Sequence, residues 1–205
     1  MKKCRKVIRL SDYDYSQAGG YFVTICTYNR ECILGQVING ETISLPLGEK
    51  AKEFWQEIPK HFENVQLDEF MVMPNHIHGI IIIKDETETR RGEVSSPEYD
   101  KNGGVTPPLQ RPTLGQIVAY YKYQTTKLIN QIRNIPGSSV WQRNYYEHII
   151  RNENELYRIR EYIQNNPLKW ELDRENPLSV NFNLEHSLYW RGIYEGEQTR
   201  KGFLR

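Results

Sequence analysis

Cysteine is scarce: Cys4, Cys26 and Cys32 are the only three in 205 residues. An odd, scattered set argues against a disulfide framework and for a reducing cytoplasm. No apolar run approaches the roughly 18 residues that a membrane-spanning helix requires. Residues 1–9 carry five cations (Lys2, Lys3, Arg5, Lys6, Arg9), but no apolar stretch follows them. A secretory leader is therefore not expected. Internal repeats are also lacking, which excludes solenoid and propeller arrays. Net charge is only +1, so the chain is no global polycation. What remains is the composition of one domain, or one domain with an appendage: 38% hydrophobic and 12% aromatic residues, enough for a packed core.

The small net charge conceals an asymmetry. From Glu31 to Glu69 eight acids face three lysines, a balance of −5. From Arg111 to Arg160 eight basic residues face three acids, a balance of +5. Basic segments rich in Tyr and Trp suit single-stranded nucleic acid, with cations for phosphates and rings for bases. The plainer reading is a solvated basic helix face.

Strand signals come first along the chain. Tyr21 to Thr27 follows Gly19-Gly20 as a β-branched and aromatic run. Ile33–Ile38 and Thr42–Leu45 flank Asn39-Gly40-Glu41, a hairpin pattern. Leu47 to His61 has helical spacing, with Ala51, Phe54, Trp55 and Ile58 on one face. Val65–Met73 and His76–Ile83 read as strands joined by a turn at Pro74-Asn75. Residues 84–113 are rich in proline, glycine and charge and read as a mobile insert or long loop. Leu114–Arg133 reads as a helix with Ile117, Val118, Tyr121, Leu128, Ile129 and Ile132 inward. Val140–Ile150 reads as partly extended. Asn152 can cap a further helix, with Glu155 in capping-box position, that ends near Pro167. The expected architecture is α+β, an antiparallel sheet with helices on one face. Residues 171–205 form a C-terminal extension without sustained periodicity.

Chemistry concentrates at two places. In His76-Ile77-His78 the imidazoles stand two apart on one face of a strand, roughly 6.5 Å from each other, and can chelate one ion. The alternative is a pair of core histidines satisfied by backbone groups. On the last helix, Tyr162 and Asn166 are four apart and share a face. If that face meets the two histidines, the site gathers two imidazoles, an amide oxygen and a phenol. A metal-polarised phosphate could then be attacked by tyrosine in a reversible step, because phenol, with a pKa of about 10, is a tolerable leaving group. Tyr145, Tyr146 and Tyr157 compete for the nucleophile's role; Tyr157 lies on another helix face from Asn166. Asn166 could instead serve as a helix C-cap.

Pro74-Asn75-His76-Ile77-His78-Gly79 resembles the signature of HUH single-strand endonucleases. Trp141 to Asn152, followed by Tyr162-Ile163-Gln164-Asn165-Asn166-Pro167, resembles the REP-associated tyrosine transposases, relatives of the single-tyrosine insertion-sequence transposases. Gly20 to Thr27 is similar to their first strand, and the resemblance spans roughly residues 5–170. It implies a ferredoxin-like or RRM-like sheet in a catalytic domain over residues 1–170. It implies Mg²⁺ or Mn²⁺ held by His76, His78 and Asn166, with Tyr162 as nucleophile. It implies cleavage of single-stranded DNA at palindromic hairpins, leaving a 5′-phosphotyrosine and a free 3′-OH, as in DNA transposition. Arg143, Tyr145, Tyr146, His148, Arg151, Arg158, Lys122 and Lys127 are candidate DNA contacts, and Arg160 is a further candidate for phosphate. The long 84–113 insert and the 171–205 tail depart from the simplest pattern and leave hairpin recognition, and the choice between monomer and homodimer, open. Two other readings stand beside this one: a non-catalytic hairpin-binding module on the same sheet, and a zinc hydrolase, since imidazoles also suit Zn²⁺.

Overall fold

The computed structural model describes residues 13–85, 111–173 and 175–179. Most of the 84–113 insert and of the 171–205 tail lies outside them. Among the described residues there are six strands: β1 (Gly19–Cys26), β2 (Gly35–Ile38), β3 (Glu41–Ser44), β4 (Val65–Val72), β5 (His76–Ile83) and β6 (Tyr146–Ile150). The α-helices are α1 (Pro46–Gln56), α2 (Ile58–His61), α3 (Leu114–Arg133) and α4 (Glu153–Asn165).

Four strands form one antiparallel sheet in the order β4-β5-β1-β6. With the β2-β3 hairpin set aside as a separate ribbon, the chain runs β1-α1-β4-β5-α3-β6. That is the βαββαβ succession of a ferredoxin-like fold, with its first and third strands central. The α+β architecture expected from the sequence is the one observed.

Alternation along the central strands sorts side chains between two layers. Tyr21, Val23 and Ile25 of β1, with Ile77 and Ile81 of β5, join Trp55 of α1 and Ile117, Val118 and Tyr121 of α3 in the main core. Gly79 belongs to this face because Trp55 needs the space: a Cβ there would sit 2.3 Å from the indole ring. The other face carries Phe22 and Ile80, packed with Ile159 and Ile163 of α4. Thus α1 and α3 cover one face, as a βαββαβ unit requires, and α4 adds a lid on the face that carries the histidines.

Local signals account for most boundaries. Asn39 (φ 52°) and Gly40 (φ 77°) both take left-handed backbone at the β2-β3 turn, as a two-residue type I′ hairpin demands. Thr113 and Gln116 close a reciprocal capping box on α3. Asn152 caps α4 by accepting from the Glu155 N–H at 2.9 Å. Three expectations shift. Pro59 splits the long helix into α1 and α2. The inner stripe of α3 passes through Leu114, Thr125 and Asn130, which leaves Ile132 half exposed. Asn166, although it precedes proline, keeps right-handed backbone (φ −60°, ψ −40°), and a 3₁₀ helix over Pro167–Leu172 carries the chain onward.

Candidate metal and tyrosine site

His76 and His78 stand on the central strand β5, both within 2% of full burial. Their Nε2 atoms approach to 3.0 Å. Two atoms bound cis to one octahedral ion at about 2.1 Å would lie about 3.0 Å apart, so the spacing suits a shared cation. Each ring is fixed through its other nitrogen. His78 Nδ1 lies 2.9 Å from Thr24 Oγ1, its partner across the β1-β5 ladder. His76 Nδ1 lies 2.9 Å from Asn75 Oδ1.

Asn75 decides the tautomer. Its Nδ2 donates to two backbone carbonyls, Glu175 at 2.6 Å and Arg30 at 3.2 Å. The amide is therefore oriented with Oδ1 toward His76, which must donate Nδ1–H and leave Nε2 with a lone pair. Burial, with a smaller push from the Arg30 guanidinium, lowers the His76 pKa to about 3, so the ring is neutral. The Arg30 carbonyl reaches Asn75 from a turn in which Asn29 (φ 52°) and Arg30 (φ 58°) are both left-handed. Such backbone costs about 1–2 kcal/mol per non-glycine residue. Thr27 secures the turn: its N–H and hydroxyl donate to the Asn75 carbonyl at 2.8 and 3.0 Å.

Tyr162 comes to the same place from α4. Its ring centroid is 5.2 Å from that of His78 and 5.9 Å from that of Phe22. Within the 3₁₀ helix that follows α4, Trp170 meets His76 at 6.1 Å between ring centroids. Asn166 lies one helical turn after Tyr162 and four residues before Trp170, bracketed by side chains that touch both histidines. It is buried, and its Oδ1 has no hydrogen-bond partner. A buried carbonyl oxygen without a partner is costly, and its chemistry is that of a hard cation's ligand. The left-handed cap role is absent, since Asn166 is right-handed.

Asp173 is a fourth group at this face. Its Oδ2 is 3.9 Å from His76 Nε2, and one ligand atom from each of His76, His78 and Asp173 falls within 4.8 Å of the others. The set fits a divalent ion. Asn75, Thr24 and Asp173 were not singled out from the sequence as site residues. Asn75 had a signal, its place directly before His76. Thr24 and Asp173 had none: one is set by strand register, the other by how the chain folds back after the 3₁₀ helix.

No protein-family model matches the chain. An uncharacterized protein of Haemophilus influenzae is 42% identical over 170 residues, covering 83% of this chain and 92% of that one. A second Haemophilus influenzae protein, named "Putative REP-associated tyrosine transposase", is 27% identical over 173 residues, covering 78% of this chain and 77% of its own length. A solved REP-associated tyrosine transposase bound to a REP hairpin shares the fold, with a TM-score of 0.52 at 16% identity, over 79% of this chain and 73% of that one. The chain is thus similar to REP-associated tyrosine transposases in sequence and in fold.

The other predicted DNA contacts are dispersed. Arg143, Arg151, Arg158 and Lys127 are exposed, and Tyr145 and Tyr146 are half-buried. Lys122 is committed elsewhere: Nζ donates to the carbonyls of Gln142 at 2.5 Å and Arg143 at 2.9 Å, and burial lowers its pKa. His148 is buried and sits 2.6 Å from Glu155. Burial pulls the Glu155 carboxyl upward, but the bonds from His148 and from the Arg151 N–H outweigh it and leave it below the usual range. Arg160 pairs with Asp68, Nε to Oδ1 at 2.7 Å and Nη2 to Oδ2 at 2.6 Å, a bidentate clasp between α4 and the sheet. Among the described residues, Cys26 and Cys32 are free thiols, and no helix is long and apolar enough to cross a membrane.

Proposed function

We propose that the protein is a divalent-metal-dependent endonuclease and strand transferase that acts on single-stranded DNA at hairpins. The observation that carries this reading is the packing of the Tyr162 ring against His78, on the sheet face where the two imidazoles converge. His76, His78 and Asn166 would hold Mg²⁺ or Mn²⁺, which supplies Lewis-acid polarisation of a phosphate oxygen. Tyr162 Oη attacks phosphorus and loses its proton to water. The P–O3′ bond breaks, the departing 3′ oxygen takes up a proton, and the 5′ side stays attached as a phosphotyrosine. In reverse, a 3′-OH attacks that phosphorus and the phenol leaves, so a cut end can be joined to another strand.

Packing supports the roles of the fixed groups. Phe22 and His78 hold the phenol ring between them, which limits its freedom before reaction. Asn75 and Thr24 keep both imidazoles in one orientation. Arg158 is one turn before Tyr162 on the same face of α4 and is suited to the phosphate that flanks the cut. The hairpin held by the structural relative supports a palindromic DNA partner. The catalytic unit spans residues 1–170, carries the 171–205 extension, and works in the cytoplasm.

The test is incubation with a panel of palindromic oligonucleotides and Mn²⁺, read on a denaturing gel. A covalent protein–DNA adduct is expected with the native chain, and none with Tyr162→Phe or with chelator. Tight hairpin binding that ignores divalent ions and yields no cleavage would replace this reading with a non-catalytic binding module.

A further inference from the structure

Asp173 presents an electrostatic problem that its neighbours do not solve. The side chain is only 5% exposed. Its Oδ1 accepts the Glu175 N–H at 2.6 Å, which turns Oδ2 toward His76 Nε2 at 3.9 Å. That distance is too long for a hydrogen bond. The Asn75 amide has already placed the His76 proton on Nδ1, so Nε2 offers a lone pair. A buried carboxylate oxygen thus faces a lone pair, with a second imidazole nitrogen 3.0 Å beyond. Without an ion a His78 Nε2–H can meet that lone pair, but the carboxylate oxygen gains a partner at this spot only if a cation lies between the groups.

The segment that delivers Asp173 is tied down from several directions. The Asp173 N–H donates to the Trp170 carbonyl at 3.1 Å. The Glu175 carbonyl accepts from Asn75 Nδ2 at 2.6 Å, and the Glu175 carboxylate pairs with Arg30 at 3.1 Å. Asn75 therefore orients His76 and anchors the chain that carries Asp173.

We propose that Asp173 is a ligand of the divalent ion, so that the stretch after α4 closes the metal site. This rests on the metal reading above. Two imidazole nitrogens, the Asn166 oxygen and the Asp173 carboxylate make a mixed set. The anionic oxygen favours hard cations such as Mn²⁺ and Mg²⁺, whereas the imidazoles alone hold Zn²⁺ well.

Mn²⁺ and Zn²⁺ affinities of the full chain, measured by calorimetry without DNA, test this directly. Asp173→Asn keeps the acceptor for Glu175 N–H and removes the charge. It should weaken Mn²⁺ binding about tenfold or more and Zn²⁺ binding less, and it should shrink the rise in melting temperature that Mn²⁺ gives the native chain. Asp173→Ser, a second variant that retains a small acceptor, should behave alike. His76→Ala should lose both ions. If His76→Ala loses Mn²⁺ while both Asp173 variants bind it as the native chain does, Asp173 is no ligand and the metal reading survives. If the native chain binds no Mn²⁺, or His76→Ala binds it unchanged, the metal reading falls and this inference with it.

Discussion

At the scale of single residues, the site depends on side chains that act through others. The Asn75 side chain makes three contacts at once, and its loss frees the His76 tautomer and the Glu175 segment together. Asn75→Ala should lower Mn²⁺ affinity about 10- to 100-fold, the usual cost of removing a group that orients a ligand, and calorimetry reads it. Gly79 tests the opposite face. Gly79→Ala drives a methyl group into Trp55 and should cost about 1–3 kcal/mol in urea unfolding, with metal affinity less affected than in the Asn75 variant. The pairing of His76 with His78 and of Tyr162 with Asn166 was legible because local periodicity puts the members of each pair on one face, two apart on a strand and four apart on a helix; the choice of Tyr162 among the tyrosines came from the family resemblance. Asp173 was not legible. Its approach to His76 follows from a 3₁₀ helix after Pro167 and from side-chain anchors to Asn75 and Arg30, neither of which leaves a periodic trace. Likewise, a sequence cannot distinguish a histidine that is free to meet DNA from His148, which Glu155 occupies.

At the scale of elements, the docking of α4 sets where Tyr162 stands. The β4 register shifts between Leu67 and Phe70, and the irregularity brings Asp68 to Arg160. Gln164 adds a bond to Glu69 at 3.0 Å. The Arg160 hydrogen bonds, reinforced by the Glu69 N–H, hold the Asp68 carboxyl below its ordinary value of 3.8. Its folded pKa is thus depressed, so its stabilising contribution is present above about pH 4 and fades as pH falls through the folded value. Arg160 is 40% exposed, and solvent screens the pair. Asp68→Asn should accordingly cost only about 1 kcal/mol at pH 7, and the gap from the native chain should close at the acid end of a series of urea melts. The helices and central strands were legible from periodicity and caps. The bulge was not, because Asp68-Glu69 interrupts an otherwise ordinary strand pattern. Ile132 was misplaced because one turn at the end of α3 outruns the core beneath it.

At the scale of the whole molecule, a βαββαβ sheet offers one free face, and α4 occupies it with the tyrosine opposite the histidines. The α+β class was legible in the order of elements. The division of helices between two faces was not, since nothing local tells a helix which side of a sheet to take. The charge asymmetry also acts at this scale. Hairpin affinity should fall with salt, and Arg158→Ala and Arg143→Ala should each reduce the log–log slope by about 1 if each side chain meets one phosphate, as read by anisotropy titrations across a salt series. The central claim is that the phenol beside the paired imidazoles is the group that takes the DNA. Mass spectrometry of the proteolysed covalent adduct, formed on a cleavable hairpin with Mn²⁺, identifies that group. A nucleotide-bearing peptide modified at Tyr162 is expected; modification at Tyr145, Tyr146 or Tyr157 would contradict the account.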